Sequence, residues 1–179
     1  MADYLRMINP ATSVATEDEA ATAARAGALG AFLMAVPGVV ASVAMLVDID
    51  GYLAKLRHVM AVMYGETSEV FRMSVATLTP QLIYFSATWG VALSLGIVVL
   101  GVVQWRKPNP IVPLLLGLFT AYGLLMLILG LVRLNPAAAA MKIPAWRNAL
   151  AVVIDLVVLV LFYSGFRGAS RLAKLRKAA

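Results

Sequence analysis

The chain reads as an all-α integral membrane protein with four transmembrane helices and an amphipathic surface helix between the first and the second. Three observations carry that reading. Hydrophobic residues fill 62% of the 179 positions, charged ones only 13%, and the mean hydropathy is +0.88, so there is too little polar surface to coat a water-soluble globule of this size. Four apolar runs, at about 26–47, 80–103, 111–132 and 144–166, each supply the ~20 helical residues that cross a hydrocarbon core of about 30 Å. Their ends carry helix punctuation: Thr79 before Pro80, the PNPIVP stretch after Lys107, Asn135 and Pro136 after the third run, and Pro144 opening the fourth.

The amino-terminal segment, residues 1–25, lacks the basic start and short apolar stretch of a secretory signal, so it is expected to stay in the mature protein. Tyr4, Leu5, Met7 and Ile8 form a small apolar patch that suits a membrane surface, a partner or a loosely ordered tail. Thr16 followed three residues later by Glu19 is a capping box, which starts a helix near Glu17 and carries it through Arg25 into the first run. Within that run Pro37 and Gly38 fall near mid-depth. Pro37 frees a carbonyl near Leu33, for which a simple bend is a sufficient account.

Residues 48–79 are too polar to cross a bilayer and too apolar for a free loop. Tyr52, Leu53, Leu56, Val59, Met60 and Met63 recur at helical spacing with Lys55, Arg57 and His58 among them, giving the surface helix at about 49–72. Gly65 is expected to break it, with a second short piece before Pro80. The Met-rich stripe is read as a face resting on lipid or on neighbouring spans. His58, the only histidine, has no nearby second imidazole or thiolate, and no metal is assigned to it with Asp50, Glu66 or Glu69.

The second run carries Ser86, Gly90 and Ser94 every four residues, a small and weakly polar stripe that permits close helix approach. The third places Thr120 and Tyr122 at similar depth, with Gly117 and Ala121 as a second small pair. Trp105 and Trp146 stand at run boundaries, where amphipathic rings belong.

Asp155 is the only acidic residue in the fourth run. Nine residues past Trp146, it lies about 14 Å in at 1.5 Å per residue, close to the middle of the core. Inserting it costs about 2.5–3.5 kcal/mol, which the surrounding Leu, Val, Ile and Phe residues offset. Desolvation favours its neutral acid. An interior polar site of Asp155, Ser86, Ser94, Tyr122 and Thr120 is therefore expected, with Gly90, Gly117, Ala121 and Pro37 setting helix packing. Two roles are open: a hydrogen bond that fixes helix register, or a proton- or cation-responsive carboxylate.

Beyond Phe166 a basic tail carries Arg167, Arg171, Lys174 and Lys177, suited to anionic lipid headgroups or to an acidic partner. Lys and Arg number nine on the terminal side of the expected topology and six on the other, all 15 of the chain. That bias favours both termini in the cytoplasm of a cell membrane, read as a bacterial inner membrane. The net charge of +6 sits largely at run ends and implies lipid contact rather than nucleic acid.

The chain has no cysteine, no phosphate-binding glycine loop, no nucleophile elbow and no histidine–carboxylate cluster, so neither catalysis nor a cofactor is expected. No repeat relates its halves, which gives an inverted-repeat transporter no support. The leading functional expectation is a non-catalytic membrane subunit that packs with other membrane subunits, or with itself, in a larger complex. The alternative is a small oligomeric transporter or channel coupled through Asp155.

Overall fold

The structure is a computed structural model and describes residues 6, 8, 9, 12–131 and 144–178. Tyr4, Leu5 and Met7 of the apolar patch lie outside it, as do Arg133 and Lys142. The described residues form six helices of nine residues or more and no strand: α1 Glu17–Val47, α2 Ile49–Tyr64, α3 Glu69–Thr77, α4 Pro80–Arg106, α5 Ile111–Leu131 and α6 Ala145–Ala178. Four of these, α1, α4, α5 and α6, are long and apolar enough to cross a membrane.

Each start has a local cause. Ahead of α1 the Glu19 carboxylate accepts the N–H groups of Ala15 (2.8 Å) and Thr16 (3.2 Å), while Thr16 Oγ1 accepts the N–H of Glu19 (3.3 Å). Two orphan donors are thereby satisfied reciprocally. Asp48 caps α2 by accepting from Gly51 N at 2.9 Å, and Ser68 caps α3 by accepting from Phe71 N at 3.0 Å. Thr79 and Asn109 do the same for α4 and α5, through Leu82 N and Ile111 N. Between α2 and α3 the chain turns at Gly65, whose φ of 76° lies in the left-handed region that a side chain disfavours.

The helix continues past the tail boundary at Phe166. α6 runs on to Ala178 because RGASRLAKLRKAA contains no helix breaker beyond a single glycine, and because Ala169 and Leu172 find buried seats there.

The chain divides into two compact units, to both of which the four long helices contribute. The first comprises Met1–Val36, Leu95–Leu124 and Val152–Ala179. Its apolar centre is Ala31, Leu116, Val158 and Phe162, with Met34, Ile97 and Ile154 packed around them. Along one face of α1 the residues Ala20, Ala23, Ala24, Gly27, Ala28 and Ala31 are all buried. The second unit comprises Pro37–Ser94 and Leu125–Ala151. There Leu53 of α2, Leu78 and Ile83 form a buried cluster joined by Met45, Tyr52, Leu56 and Met60, while Lys55, Arg57 and His58 remain exposed.

Candidate functional site

Two small-residue contacts position the polar groups. In the first unit α1 and α6 run antiparallel with their backbones touching: a β-carbon on Gly165 would collide with the backbone of Gly27, and one on Gly168 with that of Ala23 and Ala24. Gly27 also faces Pro113 of α5, and Gly117 of α5 lies against Phe162. Such approach is open only to residues without bulk, and it supplies the packing that drives helix association when lipid removes the hydrophobic incentive.

In the second unit α1 and α4 cross through two reciprocal pairs. Ser94 of α4 sits on Gly38 of α1, and Ser42 of α1 sits on Gly90 of α4. Each hydroxyl donates back to the carbonyl four residues earlier on its own helix, Ser42 to Gly38 O at 2.8 Å and Ser94 to Gly90 O at 2.9 Å. The hydroxyls are thus satisfied locally and act across the interface by shape. Ser94 is buried, whereas Ser86 of the same stripe is exposed.

The expected polar residues are therefore not gathered into one hydrogen-bonded group. Thr120 is buried in the first unit, where its hydroxyl donates to Leu116 O at 2.9 Å and lies 3.6 Å from the Met34 sulfur. Tyr122 is 58% exposed on the surface of α5, and Ala121 is exposed beside it. Pro37 is exposed within an α1 that continues through it.

Asp155 is half-buried on α6, one residue beyond Ile154 of the apolar centre. No described residue hydrogen-bonds to it.

Five polar contacts are not written in residue spacing. Gln104 of α4 is fully buried; its amide donates to Ala24 O of α1 at 3.1 Å and its carbonyl accepts Asn109 N at 3.0 Å, tying α1, α4 and the α4–α5 turn together. The Ser164 hydroxyl of α6 donates to Ile8 O, and Arg167 donates to Asn9 O at 3.1 Å, so Ile8 and Asn9 are held against α6. Arg25 stacks over Trp105 with its guanidinium carbon 5.7 Å from the ring centroid. A lone glutamine one residue beyond the run that stops at Val103 was the available signal for the first. The others depend on chain pairing that spacing does not encode. Of the tail residues, Arg171, Lys174 and Lys177 are exposed, and Arg176 approaches Glu17 at 3.9 Å.

Among the described residues no group of three or more His, Asp or Glu side chains could hold a metal ion. Comparison of the chain with known protein families, with curated proteins and with solved structures finds no match.

Proposed function

We propose that this chain is a non-catalytic, multi-pass membrane subunit that packs into a larger membrane assembly, with both termini on the cytoplasmic side of a bacterial inner membrane. The observation that carries the reading is the Asp155 carboxyl, half-buried in an apolar helix and hydrogen-bonded to no described residue. A carboxyl at such depth costs about 2.5–3.5 kcal/mol in lipid, whereas a donor or acceptor on an adjoining helix returns part of that cost, about 0.6–2 kcal/mol. The buried polar side chains of the spans, Ser42, Ser94, Thr120 and Gln104, are bonded within the chain. The half-buried Asp155 carboxyl is not, and is left for a neighbour. The bulky apolar residues exposed along the spans, such as Val40, Phe85, Trp89 and Phe119, need no protein partner, because lipid covers them.

In this reading α2 lies along the membrane surface on its apolar face, with Lys55, Arg57 and His58 toward water. Purification in a mild detergent at native expression should yield a species larger than a monomer, containing a second membrane subunit or further copies of the chain. Asp155→Leu should shift that species toward the monomer, while Asp155→Asn, which keeps a donor and an acceptor, should largely preserve it. A monomer with nothing stoichiometric attached would overturn the proposal. Proton- or cation-driven flux in proteoliposomes that Asp155→Asn abolishes would favour the transporter alternative instead.

A further inference from the structure

We propose that Arg25, Trp105, Arg106, Lys107 and Arg171 form a collar on the first unit that docks anionic lipid headgroups, an inference that rests on the membrane-spanning reading but not on the identity of any protein partner. Two contacts set the height of the collar. The Gln104 amide bonds Ala24 O, and Gly168 backs onto Ala23 and Ala24, so residues 24, 104 and 168 share one level on α1, α4 and α6. Arg106 and Lys107 follow Gln104 by two and three residues, and Arg171 follows Gly168 by three, which puts all three about 3–4.5 Å farther along their helices. Arg25 is adjacent to Ala24, its side chain leans toward the helix start in the same direction, and its guanidinium lies over Trp105.

All four cations are exposed. Arg167, at the same level, is already engaged with Asn9 O. The carboxylates of this end stand apart: Glu17, Asp18 and Glu19 begin five to seven residues before Ala24, about 8–10 Å farther out, where Glu17 faces Arg176 and Glu19 binds the N–H groups of Ala15 and Thr16. Among the described residues the collar level therefore carries five positive charges, that of Arg167 included, and no carboxylate.

Its position matches the edge of the apolar runs, which stop at Ala26, Val103 and Phe166. A headgroup layer adds about 5–7 Å to each side of the hydrocarbon core, deep enough to take the whole collar. The cations are distributed over three helices at a common height, the pattern a plane of headgroups meets. Trp105, 40% exposed, supplies the interfacial ring.

The three tryptophans permit a test that separates this proposal from the reading beneath it. Two single-tryptophan proteins are made from the full chain: one keeps Trp105 (Trp89→Phe and Trp146→Phe), the other keeps Trp89 (Trp105→Phe and Trp146→Phe), about 14 Å inside α4 counted from Pro80. Each is reconstituted in vesicles of equal phosphatidylcholine and phosphatidylglycerol, with bromine on the acyl chains of one lipid at a time. Trp89 should be quenched equally by both, which establishes insertion; no quenching of Trp89 by either lipid would overturn the membrane reading itself. Trp105 should be quenched preferentially by brominated phosphatidylglycerol, reflecting an enrichment of about fivefold for each cation engaged. That preference should vanish in Arg25→Gln/Arg106→Gln/Lys107→Gln/Arg171→Gln and survive in Lys55→Gln/Arg57→Gln. Equal quenching of Trp105 by the two lipids, the result expected if the cations served an acidic protein partner, would overturn the collar, as would a preference that survives the quadruple substitution.

Discussion

The Ser42 hydroxyl of α1 occupies the space that a β-carbon would take at Gly90 of α4. Ser94 holds the same relation to Gly38, so the two helices interlock through an antiparallel pair of equivalent contacts. Gly90→Ala should therefore overpack the crossing and lower stability by about 1–3 kcal/mol, read as a lower melting temperature in detergent. Beyond the hydroxyl the nearest atom to that added carbon is the Ser42 β-carbon at 3.7 Å, an ordinary contact. Ser42→Ala combined with Gly90→Ala should accordingly recover most of the loss. A double variant no better than Gly90→Ala alone would show that the hydroxyl is not the obstacle.

The α1–α6 seam offers a graded comparison among glycines. At Gly165 an added methyl meets the Gly27 backbone, which cannot rotate aside, whereas at Gly123 and Gly96 nothing lies within 4 Å. Gly165→Ala should cost upward of about 2 kcal/mol. Gly123→Ala should instead gain a few tenths to about 1 kcal/mol from helix propensity. Thermal unfolding in one detergent ranks them, and equal behaviour would refute the close approach.

Gln104 joins two segments with one side chain. Gln104→Leu keeps its bulk but removes the donor to Ala24 O and the acceptor for Asn109 N, for an expected loss of about 1–3 kcal/mol. Hydrogen exchange should show faster opening at the Asn109 amide and no change at Phe71, which is capped independently by Ser68.

Glu19 lies ahead of the apolar run that begins at Ala26, and the N–H groups of Ala15 and Thr16 bonded to its carboxylate hold its pKa below the ordinary carboxylate value. Because the folded-state value is the lower one, its contribution is complete above the ordinary glutamate range and is lost as pH falls through the depressed value. Amide protection at Ala15 and Thr16 should decline over that acidic window in the wild-type chain and be flat across it in Glu19→Gln. A parallel decline in both proteins would assign the effect to another group.

The helices were legible because their ends are written in single residues: the Thr16–Glu19 box, Pro80, Pro144 and the break at Gly65 all fall where helices begin or end. Their pairing was less legible. A run that is apolar all round shows no preferred face by hydrophobicity, so the informative signal is side-chain volume, and Ala20, Ala23, Ala24, Gly27 and Ala31 recur at three and four residues along α1. The four-residue spacing marks Ser94 as a close-packing residue, whereas its partner Gly38 stands out in the sequence only by its mid-depth place beside Pro37. The polar interior centred on Asp155 drew on depth alone. Depth does not tell which way a side chain points, and Thr120 and Tyr122, two residues apart, end up buried and exposed respectively.

The α1–α6 seam also has a consequence for how the chain is made. Glu17 and Arg176, 159 residues apart in the sequence, approach each other, and the face of α1 that receives Gly165 and Gly168 leaves the ribosome well before them. At about 5–20 residues per second, that face waits roughly seven to thirty seconds for its complement. During that interval Ala23, Ala24 and Gly27 lack the cover that Gly165 and Gly168 give them. Closure of the seam therefore follows the synthesis of Gly165 and Gly168, and a ribosome halted before Gly165 would leave this face of α1 unpaired.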